Sequence, residues 1–169
     1  FQKDFDVMAI PKKDEITPGN GILIFKKGEF DAKLYYSTLK SWFDKRMYTF
    51  TERENTEKYR AHGNELNIKL DGDKKIDDFV EFHIETFALV REYKKRGNKH
   101  VGDVKINVVA YLELDYRNQW QDTPFKRLLF HLYTNFLIKA KIKHYYETNL
   151  YLEMMECMSE MKEILGLYD

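Results

Sequence analysis

The run Phe79-Val-Glu-Phe-His-Ile-Glu-Thr-Phe-Ala-Leu-Val-Arg-Glu-Tyr93 and its companion Val104-Lys-Ile-Asn-Val-Val-Ala-Tyr-Leu-Glu-Leu-Asp-Tyr116 decide the fold. In the first, Val80, Phe82, Ile84, Thr86, Ala88 and Val90 share one parity. In the second, Val104, Ile106, Val108, Ala110, Leu112, Leu114 and Tyr116 do the same. The opposite parity carries Glu81, His83, Glu85 and Arg91, then Lys105, Asn107, Glu113 and Asp115. A period of two marks strands with one buried and one wet face. The charge-rich connector of ten residues is too short for a parallel crossover, so the strands pair antiparallel. Phe82, Ile84, Val108 and Ala110 then face the core.

Upstream, Gly63-Asn64 is a hairpin dipeptide, and Leu66, Ile68 and Leu70 alternate after it. Asp71-Gly72-Asp73 reads as the turn into the central hairpin. The segment from Tyr48 to Arg60 begins with strand formers and turns polar, which suits an edge strand with a bulge near Asn55. Asp31 is placed to cap a helix running to about Arg46, with Tyr35, Leu39, Trp42 and Phe43 on one face. Ile22-Leu-Ile-Phe25 is a short strand closed by Lys26-Lys27-Gly28. Residues 1–20, with the apolar segment Phe5–Ile10, read as an extended arm.

Downstream the period changes. Thr123 or Asp122 caps a helix with Pro124 in its first position. Leu128, Leu129, Leu132, Tyr133 and Phe136 give an apolar face. A second stripe of Ile142, Tyr146, Leu150, Met154, Cys157, Met161 and Ile164 follows at helical spacing. Two helices with a joint near Lys139–Lys141 are expected, with Gly166 as the stop. The whole is one α+β domain. Residues 22–116 form a helix and a mostly antiparallel sheet of four to six strands, and residues 123–166 form the C-terminal helices that cover it. This element order is similar to that of helix-grip (START-like) proteins, where the last helix closes over a curved sheet.

Composition bounds the function. The chain has 169 residues, 43% hydrophobic and 33% charged, with 28 basic and 28 acidic side chains. That is an ordinary globular balance without the basic surplus of a dedicated nucleic-acid binder. The single cysteine, Cys157, permits no internal disulfide and suits a reducing compartment. No apolar run reaches bilayer length and the first residues lack a basic leader, so a cytoplasmic location is expected.

No phosphate loop, nucleophile elbow or zinc-ligand spacing is present, so no cofactor and no metal site is assigned. The acidic group Asp71, Asp73, Asp77 and Asp78 lacks calcium-loop spacing and reads as solvated turn chemistry. The catalytic candidates reduce to His83 with Glu81 and Glu85, where a carboxylate can raise the imidazole pKa and fix its tautomer. A structural polar cluster is the commoner use of such residues, and the balance tilts against an enzyme. Two basic clusters are binding candidates. Lys94, Lys95, Arg96 and Lys99 crowd the hairpin connector with Arg91 and His100; Lys139, Lys141, Lys143 and His144 sit at the helical joint beside Tyr145 and Tyr146.

Trp42-Phe43-Asp44-Lys45-Arg46, Lys75-Ile-Asp-Asp-Phe-Val-Glu-Phe-His83 and Trp120 followed by Pro124-Phe125 resemble segments of a family of uncharacterised archaeal proteins. The resemblance runs from about Gly21 onward. It implies an archaeal source and carries no activity, cofactor or site residue. The expectation is therefore a non-catalytic binding module that takes a small apolar ligand or a protein partner, a second copy of itself included, between sheet and long helix. The alternative is a peripheral module that meets RNA or an anionic membrane through Arg91–His100.

Overall fold

The computed structural model describes residues 10–168. Among the described residues six strands, β1 (Lys13–Glu15), β2 (Ile22–Phe30), β3 (Thr49–Lys58), β4 (Asn64–Lys75), β5 (Val80–Arg96) and β6 (Lys99–Leu114), form one antiparallel sheet. The meander β3-β4-β5-β6 is completed by β2 and β1, which lie end to end along the free edge of β6. The central register pairs Phe82 with Leu112, Ile84 with Ala110 and Thr86 with Val108. All six are buried, as the parity requires.

Both long strands extend further than alternation alone indicates. The ten-residue connector is itself strand, and the hairpin turns at Gly97-Asn98, with Gly97 at φ +63°. Such a left-handed position costs glycine little. A bulge between Arg91 and Lys94, with Glu92 at φ +52°, breaks the parity there and hides the continuation. Likewise β2 does not close at Lys26-Lys27-Gly28 but pairs on to Phe30, opposite His100.

Asp71-Gly72-Asp73 is not a turn. It lies inside β4, paired with Ile84 and its neighbours on one side and with Phe50 and its neighbours on the other. Gly72 is there because a Cβ at this position would stand 2.2 Å from Cε1 of Phe43. The turn comes at Asp77, whose carboxylate accepts the N–H groups of Phe79 and Val80 at 2.8 Å each. The bulge in β3 falls between Glu52 and Glu54.

Helix α1 (Ala32–Lys45) starts at Asp31, whose Oδ1 accepts the Leu34 N–H at 2.9 Å. It buries Tyr35, Leu39, Trp42 and Phe43 against the even-parity face of the sheet. After β6 the buried Asp115 carboxylate accepts from the N–H groups of Gln119 and Trp120 and from the Gln121 side chain, shaping the link to α2 (Pro124–Leu132). Thr123 caps α2. The chain then passes through a π-helical turn at Tyr133–Leu137, breaks at Ile138 (φ −115°, ψ 5°), and crosses a second π-helical turn at Ile142–Tyr146. It continues as α3 (Glu147–Ile164). The joint falls one residue before the expected one.

Ile142, Tyr146, Leu150, Met154, Cys157 and Met161 are buried in one continuous core with Tyr35, Phe43 and Phe82; the stripe ends on Leu165, and Ile164 is only partly covered. Polar ties fix α3 in place: the Tyr48 hydroxyl donates to Glu153 at 2.6 Å and Lys74 reaches the other oxygen at 2.8 Å. Among the described residues no helix is long and apolar enough to cross a membrane. Of the N-terminal arm, Ile10 is buried and Lys13–Glu15 pairs with β6; the remainder of Phe5–Ile10 lies outside the described residues.

Candidate functional site

The sheet's outer face brings Glu81, His83 and Glu113 together. Strand pairing sets Glu113 of β6 opposite Glu81 of β5, and sets His83 of β5 between Tyr111 of β6 and Asp73 of β4. Parity alone assigns His83 to a wet face, yet it is only 8% exposed. The reason is tertiary: the Tyr111 ring stacks on the imidazole with centroids 4.6 Å apart and planes 9° from parallel. Lys13 of β1 places its ammonium 3.7 Å from the Tyr111 ring centre.

Carboxylates face both ring nitrogens of His83, and one of the two is hydrogen-bonded. Its Nδ1 is 2.6 Å from Oδ1 of Asp73, while Nε2 faces Oε2 of Glu81 at 3.5 Å and Oε2 of Glu113 at 3.4 Å. Burial acts to lower the imidazole pKa. The Asp73 hydrogen bond and charge, with Glu81 and Glu113 behind them, outweigh it and raise the pKa above the usual histidine value. Asp73 can only accept, so it keeps a proton on Nδ1, and Nε2 is the nitrogen that becomes free when the ring is neutral. Lys12 lies 3.3 Å from the other Glu113 oxygen, Oε1.

Glu85 stands apart from this group. It accepts the Tyr111 hydroxyl at 2.9 Å, and burial is the main cause that raises the phenol pKa. Of the three catalytic candidates, then, Glu81 and His83 converge and Glu85 joins only through Tyr111. The residues that sequence reasoning missed are Asp73, Tyr111 and Glu113. Their signal was the register: once Phe82 faces Leu112, Glu81 must face Glu113.

The basic hairpin is largely neutralised by strands it meets only in three dimensions. Glu57 of β3 binds Lys95 at 3.0 Å and lies 3.4 Å from His100; Glu29 of β2 binds Lys99 at 2.9 Å and Arg96 at 3.5 Å. Hydrogen bonds from Tyr59 and Lys95 lower the Glu57 pKa to about 2. A shallow outer groove of about 320 Å³ beside this hairpin is lined by Phe25, Lys27, Leu89, Arg91, Asp103 and Lys105.

The helical joint behaves differently. Tyr146 is buried and donates to Asp77 at 2.5 Å, so it is a structural tie, whereas Tyr145 is exposed. Lys143 is paired with Asp14 and Glu147. Next to the joint, α2 and the π turn after it present apolar residues outward: Phe125 is 68% exposed and Phe136 71%, with Leu128, Leu129, Leu132 and Leu137 exposed between and beside them. In α2 and the π turn only Phe130 and Thr134 are buried. From Pro124 to Tyr146 there are five lysines and arginines and no acidic residue, whereas Glu147–Ile164 holds five glutamates against Lys162. A groove of about 350 Å³ between α3 and β4–β5 is lined by Lys74, Ile76, Phe82, Tyr145, Leu152 and Glu153. Comparison with protein-family models, with curated proteins and with solved structures finds no match to this chain.

Proposed function

We propose that the protein is a peripheral binding module that seats on an anionic membrane surface through α2 and the π turn after it. The observation that carries this reading is the outward face of Phe125, Leu128, Leu132 and Phe136 on a segment whose charges are all basic. A helix that shows water a continuous apolar stripe needs a cover, and a basic amphipathic helix suits the boundary between headgroups and acyl chains. Arg127 and Lys139 are exposed along this segment, where they can meet lipid phosphates.

Full burial of one such side chain is worth about 1.5–3 kcal/mol. These four are between about half and three-quarters exposed, so insertion contributes roughly 4–7 kcal/mol in total. That resembles a single acyl chain and implies weak, reversible attachment.

The test is flotation with vesicles of equal parts phosphatidylcholine and phosphatidylglycerol, beside vesicles of phosphatidylcholine alone. The wild type is expected to float with the anionic vesicles and the Phe125→Ser/Phe136→Ser variant to stay behind, at an unchanged melting temperature. Absence of flotation by the wild type refutes the proposal. So does a concentration-dependent dimer that the same variant abolishes, because the face is then an interface between copies. A second reading, a small ligand or partner segment held between sheet and long helix, is supported by the groove over Phe82, with Tyr145 and Leu152 at its wall.

A further inference from the structure

The geometry points to a divalent transition-metal site on the outer face of the sheet, with Glu81, His83 and Glu113 as the protein ligands and Asp73 as the residue that positions the imidazole. Four observations converge on it.

The first is an unsatisfied donor or acceptor. His83 is 8% exposed, and its Nε2 is buried without a hydrogen-bond partner among the described residues. That nitrogen is aimed between two carboxylate oxygens. Buried polar atoms are mostly satisfied, and of the unpartnered ones among the described residues this is the one that belongs to a group of carboxylates at ligand distance.

The second is spacing. Bonds of about 2.0–2.2 Å at tetrahedral angles put neighbouring ligand atoms roughly 3.3–3.6 Å apart. Nε2 lies 3.5 Å from Oε2 of Glu81 and 3.4 Å from Oε2 of Glu113, and all three atoms lie within 4.8 Å of one another. The separation is long for hydrogen bonds and right for the edges of a coordination polyhedron.

The third is charge. Glu81 and Glu113 are directly paired across β5 and β6, a placement in which like charges destabilise a sheet. A dication between two carboxylates and a neutral imidazole brings the ligand set to zero net charge. Lys12 binds the far oxygen of Glu113 and leaves Oε2 turned inward.

The fourth is the support behind the ligand. A metal-bound histidine ordinarily donates its other N–H to a carboxylate, which fixes tautomer and ring direction. Asp73 does this at 2.6 Å, and the stacked Tyr111 ring locks the plane. One imidazole with two carboxylates is a nitrogen–oxygen donor set of the zinc and manganese type rather than the all-oxygen shell that calcium takes. Both glutamates are partly exposed, which leaves an entry path and room for solvent at the remaining positions.

The experiment is calorimetric titration of chelator-washed protein with zinc chloride, beside nitrogen NMR of the histidine rings. One zinc per chain is expected. Zinc should move the His83 Nε2 resonance while Nδ1 keeps its proton. His83→Gln should weaken binding by about 100-fold or more, Glu81→Gln and Glu113→Gln by about 10-fold or more, and Asp73→Asn by about 10–100-fold. The NMR arm uses the wild type and holds even if a variant folds poorly. Unmoved His83 signals on saturation would falsify the site. Equal zinc affinity in wild type and His83→Gln overturns it too, because His62, His100, His131 or His144 then carries the ion.

Discussion

Replacing Gly72 with alanine tests how α1 is seated on the sheet. The added Cβ would lie 2.2 Å from Cε1 and 2.3 Å from Cδ1 of Phe43, so the ring must move by more than 1 Å to reach ordinary contact. It has little freedom to do so. Trp42, Tyr48 and Phe50 surround it with ring centroids 5.4, 5.6 and 6.0 Å away, and Phe43 is fully buried. Overpacking of this kind costs about 1–3 kcal/mol, and a ring wedged by three aromatic neighbours places Gly72→Ala near the top of that range. For a domain of this size the loss corresponds to a fall of roughly 6–12 °C in melting temperature. Phe43→Leu alone removes ring contacts and costs about 1–2 kcal/mol. In the double variant the new methyl group enters space that the ring has left. The sum of the two single losses should then exceed the double loss by about 1.5 kcal/mol or more. The assay is urea unfolding of the four proteins followed by circular dichroism. Additive losses, within about 0.5 kcal/mol, would refute the idea that Gly72 serves the Phe43 ring and would return it to a backbone role.

Three further outcomes are expected. Burial acts to raise the Asp77 pKa, but hydrogen bonds from Tyr146, Phe79 and Val80 and the charge of Lys141 lower it overall. A depressed carboxylate contributes stability that is present above its unfolded value of about 3.9 and is lost as pH falls through the folded value. Wild type should therefore exceed Asp77→Asn at neutral pH by no more than about 1 kcal/mol at this exposed turn, and the gap should close below about pH 4 in acid-titrated melting curves. Removing residues after Glu147 should abolish cooperative unfolding and NMR dispersion, because Leu150, Met154, Cys157 and Met161 leave the core; an unchanged melting temperature contradicts this. Reversing Lys94, Lys95, Arg96 and Lys99 to glutamate should lower the melting temperature slightly, through new repulsion with Glu57 and Glu29; equal loss when Glu57 and Glu29 are also changed to glutamine would show that those contacts do not matter.

Much of the architecture follows from local pattern. Alternation over Val80–Val90 and Val104–Leu114 fixes two antiparallel strands and their buried face, because one step of slippage would turn every apolar side chain to water. Asp31, Thr123 and Gly166 mark helix ends through hydrogen bonds made within a few residues. Where neighbours distant in sequence intervene, local pattern misleads. Gly72 reads as a turn until Phe43 arrives to fill the space beside it, and the bulge at Arg91–Lys94 interrupts a parity that resumes beyond it.

Side-chain chemistry divides along the same line. His83 and Glu81 are recognisable as neighbours on one strand, whereas Asp73, Tyr111 and Glu113 join them only through pairing with β4 and β6. The basic hairpin looks unbalanced along the chain, and Glu29 and Glu57 balance it across the sheet. The apolar residues of α2 and of α3 read alike as helix faces, yet one set is buried and the other exposed. Periodicity is a property of the backbone repeat and is written in the sequence. Which face finds a cover depends on the geometry of the other elements, and only the tertiary structure decides it.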